Sequence, residues 1–187
     1  MRESLRLMIS RRLLPLSMGL LLTAFPCRLQ ADVNERLNPL VTLMIQRLQL
    51  SREVAWSKCR AGIPVADPAR EARMLTELKT AGSQEGITSE DVSRLFLPQI
   101  AASRRYQQEL IAGWRSGIEV PKLKQLDLAS EIRPRLDKVN QEMLRQWSVV
   151  CHARLDWADR EEAQRMLRER GIPTDVAKIA VSPLGGK

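Results

Sequence analysis

Aromatic side chains are scarce, at 4% of 187 residues. Sandwiches and barrels draw on Tyr, Phe and Trp for their strands, so this shortage argues against an all-β fold. One histidine, His152, leaves no basis for a multi-histidine metal site or a Ser-His-Asp hydrolase. Three cysteines are too few for a disulfide scaffold or a structural zinc cluster. No strand-like alternation and no internal repeat is visible. What the chain has is Leu, Arg, Glu, Gln and Ala, the helix formers, with 44% hydrophobic residues, enough for a core.

The first residues read as an address. Arg2, Arg6, Arg11 and Arg12 precede the apolar run LLPLSMGLLLTAF over 13–25. The run is too short for a comfortable membrane span. A basic start, a short apolar stretch and a small residue at Ala31 predict a signal peptide over 1–31, cleaved after Ala31. Lipidation at Cys27 is the rival, and Pro26 before it is wrong for that signal. Removing 1–31 takes away five basic and one acidic residue and lowers the net charge from +8 to +4. That excess is too mild for a nucleic-acid binder. The chain is therefore expected in the periplasm or outside the cell, with no nucleic-acid partner and no stable membrane association after cleavage. Cys59 and Cys151 remain, and they form either one disulfide or two buried thiols.

Caps and periodicity predict an all-α domain over 32–187. Asn38 and Pro39 read as the start of a first helix ending near Ala61, where Gly62 and Pro64 follow. Asp67 and Pro68 start a second, to about Ser83. Thr88 with Asp91 caps a third, to about Arg115, kinked at Pro98. A loop over 117–127 leads to a helix over about 128–155, broken near Arg133 and Pro134. Asp156 caps a last helix to Arg170, and the tail VSPLGGK is expected to be loose.

Certain polar residues fall on the apolar sides of these helices. Arg47 and Lys58 are eleven apart, so they nearly eclipse and share a face with Leu40, Met44, Ser51 and Ala55. Their Cα atoms should be about 16 Å apart, leaving room between the side chains for a small anion. Ser103 and Gln107 interrupt the stripe of Phe96, Ile100, Leu110 and Trp114 on the third helix. Singly, each is an ordinary snorkelling cation or core polar group. Together they suggest a bundle with a small cationic pocket, because buried charge without a partner is costly and an acidic ligand would offset it. Asp67 is an N-cap. Arg70, in the same first turn, opposes the helix dipole, which hints at another role.

The ordered set of Arg47 in IQRLQLS, Lys58 in VAWSKCR, Asp67, Arg70 and Glu71 in PVADPARE, Ser103 and Gln107 in SRLFLPQIAASRRYQQ, and Arg133 in EIRPRLD resembles the all-helical chorismate mutases, and within them the exported gamma subclass. The resemblance covers about 34–150, with a C-terminal helical extension over about 151–187. It implies a homodimer that converts chorismate to prephenate by a concerted Claisen-type rearrangement, toward phenylalanine and tyrosine, without metal or cofactor. By the same resemblance Arg47, Arg70 and Arg133 are carboxylate ligands, and Lys58 and Gln107 are the donors to the ether oxygen. Asp67 and Glu71 hold the ring hydroxyl, and Ser103 is a lesser contact. Met74 departs from the polar residue found there in some relatives. Rival readings are an isochorismate-pyruvate lyase on the same fold and a non-enzymatic periplasmic helical chaperone or adaptor.

Overall fold

The computed structural model describes residues 25–117 and 123–185, with side chains from residue 35. Its elements are α1 (Phe25–Ala61), α2 (Pro68–Gln84), α3 (Ser89–Arg115), a π-helical turn (Leu128–Ile132), α4 (Arg133–Val150), α5 (Trp157–Glu169) and α6 (Thr174–Ala180). Among the described residues there is no strand, and no helix is long and apolar enough to cross a membrane. The leader expected over 1–31 lies outside the described residues except for its last part, which begins α1.

Helix α1 is the axis, packed against α3 and α4 and touching α5. Leu40, Met44 and Leu48 on α1, Leu95 and Phe96 on α3, and Met143 and Trp147 on α4 meet in one core, each almost wholly shielded from solvent. The Trp147 indole donates to the Asp91 carbonyl at 3.0 Å, so the largest core side chain leaves no polar atom unpaired.

Four boundaries differ from expectation. Asn38 does not cap α1, which runs upstream through Pro39. Pro39 is exposed, so the hydrogen bond it cannot make is lost on the solvent side. The break expected at Pro134 is instead the π turn, with Ile132 N–H bonding the Asp127 carbonyl at 3.1 Å. Its wider ring absorbs the strain ahead of the proline, and Arg133 keeps helical angles (φ −57°, ψ −43°). Helix α4 stops at Val150 rather than near Leu155. The tail is not loose: α6 follows Pro173, Val181 and Leu184 are buried, and the Gln99 amide donates to the Ala180 carbonyl at 2.8 Å. Seven residues are too few to show a helical period, so α6 gave no sequence signal.

The predicted caps hold elsewhere. Asp67 Oδ1 accepts from Arg70 N–H at 3.1 Å, and Thr88 Oγ1 from Asp91 N–H at 3.0 Å. Asp156 and Asp159 form a reciprocal capping box on α5. Gly62 ends α1 with φ +67°, a conformation that favours glycine. Cys59 and Cys151 are free thiols, Cys151 buried, and burial pushes its pKa up.

Gly82 is where α2 meets α3. A Cβ there would lie 2.6 Å from Val92 Cγ2. Valine in a helix has little χ1 freedom to move aside. Gly82→Ala is therefore expected to lower stability by about 1–3 kcal/mol in urea unfolding, against the usual helix preference for alanine.

Candidate functional site

One cavity, about 670 Å³ counted out to its mouth, opens between α1, α2, α3 and α4. The structure brings Arg47, Lys58, Asp67, Arg70, Glu71, Ser103, Gln107 and Arg133 to its wall. These residues span the chain from the middle of α1 to the first turn of α4.

Arg47 and Lys58 project from one face of α1. Both are buried, at 5% and 6% exposure, which excludes the snorkelling reading for either. Arg47 is held at two of its three nitrogens. Its Nε donates to Asn140 Oδ1 at 2.9 Å, and its Nη1 to the Gln99 carbonyl at 2.8 Å and to Ser103 Oγ at 2.5 Å. Ser51 Oγ, one turn on from Arg47, donates to Ser103 Oγ at 3.1 Å and braces that contact. The Gln99 contact links the pocket to the C-terminus, since the same residue's side chain is the one bonded to Ala180.

Lys58 lies in the last turn of α1, four residues before Gly62. The chain turns at Gly62 and returns along 63–67. The Val65 carbonyl then accepts from Lys58 Nζ at 2.5 Å. An ammonium has three donors, so two remain for a ligand. The end of α1 is fixed on the end of α3 by Trp56 and Trp114, packed edge to face at 5.5 Å.

The remaining charges are paired. Arg133 bonds Asp67 at 3.0 Å, Arg70 bonds Asp137 at 2.6 Å, and Arg104 lies 3.7 Å from Glu71. Five basic and three acidic side chains line the cavity, a surplus of two positive charges. The surplus falls on Arg47 and Lys58, which among the described residues bond only neutral groups. Burial lowers the pKa of Arg47 to about 10, with Glu71 opposing. Burial likewise lowers that of Lys58, and Arg133 adds to this, while Asp67 and Glu71 pull the other way. Gln107 lines the same cavity as both cations; it is 6% exposed and its Oε1 is buried without a hydrogen-bond partner. The surplus suits a small dianion, and the Gln107 amide adds one hydrogen-bond donor group and one acceptor to the same wall.

Sequence reasoning missed three polar wall residues: Arg104, Asp137 and Asn140. Asn140 could have been found. It interrupts the α4 stripe of Leu136, Val139, Met143 and Trp147 as Ser103 and Gln107 interrupt that of α3. It is 2% exposed. Arg104 and Asp137 carried no such signal, because each sits at the edge of an apolar face, where charge is ordinary.

The family model for chorismate mutase type II matches residues 37–108. A secreted chorismate mutase of Mycolicibacterium smegmatis is 33% identical over 136 residues, which cover 68% of this chain and 75% of that protein. A secreted chorismate mutase of Mycobacterium tuberculosis is 29% identical over 157 residues, 78% of each chain. The crystal structure of a chorismate mutase from Burkholderia phymatum superposes with a TM-score of 0.75 at 29% identity, covering 83% of this chain and 99% of that one.

Proposed function

The chain belongs to the chorismate mutase type II family, and from that premise we propose that its α1–α4 pocket isomerises chorismate to prephenate. The observation that carries this reading is the pair of buried, unneutralised cations facing a buried glutamine. Chorismate carries two carboxylates joined through an ether oxygen, so its charge matches the surplus on Arg47 and Lys58. A chaperone or adaptor has no use for that convergence.

The rearrangement is concerted: the ether C–O bond breaks as a C–C bond forms. The enzyme therefore needs no nucleophile, and its work is positioning and electrostatics. Arg47, whose Nη2 has no bond among the described residues, takes one carboxylate. Arg133 and Arg70, already placed by Asp67 and Asp137, close on the other as the substrate competes for them. Lys58 donates to the ether oxygen and to a carboxylate with its two spare hydrogens, and the Gln107 amide donates to the ether oxygen from the other side. Negative charge grows on that oxygen as the bond breaks, so both donors stabilise the transition state more than the substrate. Asp67 and Glu71 line the same wall and are the two carboxylates placed for the ring hydroxyl.

The secreted relatives support export of this chain. Cleavage after Ala31 would leave α1 to begin at Asp32, ahead of the core residue Leu37. The resemblance assigns a carboxylate ligand to Arg133, and this chain's own Arg133 reaches the cavity, which supports a homodimer in which each protomer carries its own site.

The test is to add chorismate to the purified mature protein, follow loss of the diene absorbance and identify the product. Prephenate supports the reading, whereas pyruvate release from isochorismate would replace it with the lyase. Gln107 sets the pH profile. A glutamine donates at every pH, so activity should stay level between mildly acidic and neutral pH. Gln107→Glu should be active only in acid. Its activity should fall as pH rises through the introduced carboxyl's pKa, because an ionised carboxylate cannot donate and repels the developing charge.

A further inference from the structure

Asn140 is placed by its own chemistry. The guanidinium of Arg47 only donates, so the atom 2.9 Å from its Nε must be the asparagine oxygen. That fixes the amide nitrogen on the other side. There its partner is the Met74 sulfur at 3.2 Å. A thioether is a weak acceptor, and the amide has two hydrogens to place. A buried donor without a strong acceptor is costly to keep, yet this one lies on the pocket wall beside a cation.

The Arg47 side completes the picture. Its Nε and Nη1 are engaged, and Nη2 has no bond among the described residues. In a guanidinium, the Nε hydrogen and one Nη2 hydrogen point along the same edge. A carboxylate oxygen accepting from Nη2 on that edge sits next to the amide that occupies Nε. We propose that Asn140 is a substrate-binding residue whose amide N–H donates to the same substrate carboxylate that Arg47 grips, rather than merely a brace for Arg47. This rests on the mutase reading above. Met74 then serves as a soft placeholder: its sulfur takes the amide hydrogen in the empty pocket and releases it cheaply when a carboxylate arrives.

The two roles predict opposite rankings of two variants. Asn140→Asp keeps an oxygen for Arg47 Nε and removes the donor, setting a carboxylate against the substrate's own. Asn140→Ala removes both functions without adding charge. If Asn140 contacts substrate, kcat/KM at neutral pH falls about 10- to 100-fold in Asn140→Ala, mostly through KM, the range for a hydrogen bond to a charged group. Asn140→Asp falls further still. If Asn140 only orients Arg47, Asn140→Asp outperforms Asn140→Ala, and the proposal is overturned. It is equally overturned if Asn140→Ala matches the native enzyme. Thermal unfolding of both variants separates a folding defect from a binding one, and a dicarboxylate inhibitor titrated into folded but inactive protein gives the same ranking by affinity. Native protein that does not turn over chorismate defeats the mutase reading first, and this inference with it. Native turnover with the reversed ranking defeats this inference alone.

Discussion

Lys58→Ala lowers kcat for chorismate at least about 10³-fold, with KM changed far less. Loss of one neutral oxyanion donor already costs about 10²- to 10³-fold, and Lys58 is a charged donor at a 6% exposed position. Its effect is concentrated in the transition state, where the ether oxygen gains charge, so the loss falls on kcat. Lys58→Arg does not rescue. The Val65 carbonyl and the turn at Gly62 place a single nitrogen at the end of a four-carbon stem, and a planar guanidinium cannot occupy the same point. The native pH profile reports the same group. Burial lowers the lysine pKa, and the ammonium form is the active one. Activity is therefore full below that lowered pKa and lost as pH rises through it, earlier than for an exposed lysine. Stability of the empty protein runs the other way. Across the window between the lowered pKa and the ordinary one near 10.5 the unfolded chain binds the extra proton, so the fold gains stability as pH rises. A bound dianion raises the pKa of Lys58 and shrinks that window. Comparing unfolding curves at pH 7 and in that alkaline window, with and without a dicarboxylate inhibitor, checks the sign. Cys151 and Tyr106, whose pKa values burial raises, act oppositely over the same range, so the native curve is referred to Lys58→Met; a native-minus-variant stability that falls across the window would exclude Lys58 as a buried ammonium.

Much of this site is legible in the sequence because helices keep their books in steps of 100°. Arg47 and Lys58 stand out only when folded onto the face that also carries Leu40 and Met44. Ser103 and Gln107 stand out only against Phe96 and Ile100. The same test applied to α4 would have isolated Asn140. What periodicity does not give is the closure between helices. The ion pair of Arg133 with Asp67, 66 residues apart, depends on the π turn that feeds α4, and nothing in LASEI announces a wider turn. The link from the C-terminal tail through Gln99 to Arg47 is likewise invisible, because α6 is too short to carry a period. The C-terminal extension, which the sequence left as a bland appendage, is thus part of the scaffold under Arg47. Its residues Val176, Ala177 and Leu184 are fully buried.

Arg47 is where that scaffold acts, and Arg47→Lys tests it. The guanidinium performs two tasks at once: Nε and Nη1 lock it to Asn140, Gln99 and Ser103, while Nη2 is left for the ligand. A lysine has one nitrogen on a shorter reach. It either satisfies the neutral partners or faces the carboxylate, and cannot do both. We expect KM to rise about 10²-fold and kcat/KM to fall about 10³-fold, since misplacing one carboxylate also loosens the near-attack geometry. The measurement independent of turnover is ligand-induced stabilisation. At an inhibitor concentration of about 100 times the native Kd, the native protein gains about 2.7 kcal/mol. With affinity about 10²-fold weaker, the variant gains only about 0.4 kcal/mol at that concentration. An undiminished gain in Arg47→Lys would show that Arg47 is a core cation satisfied by its neutral partners and not a ligand to the substrate. In the empty protein the same replacement keeps a buried positive charge while freeing up to two of its three acceptors. The variant should accordingly be less stable than the native fold by about 1–3 kcal/mol, the cost of a buried polar group left unpaired.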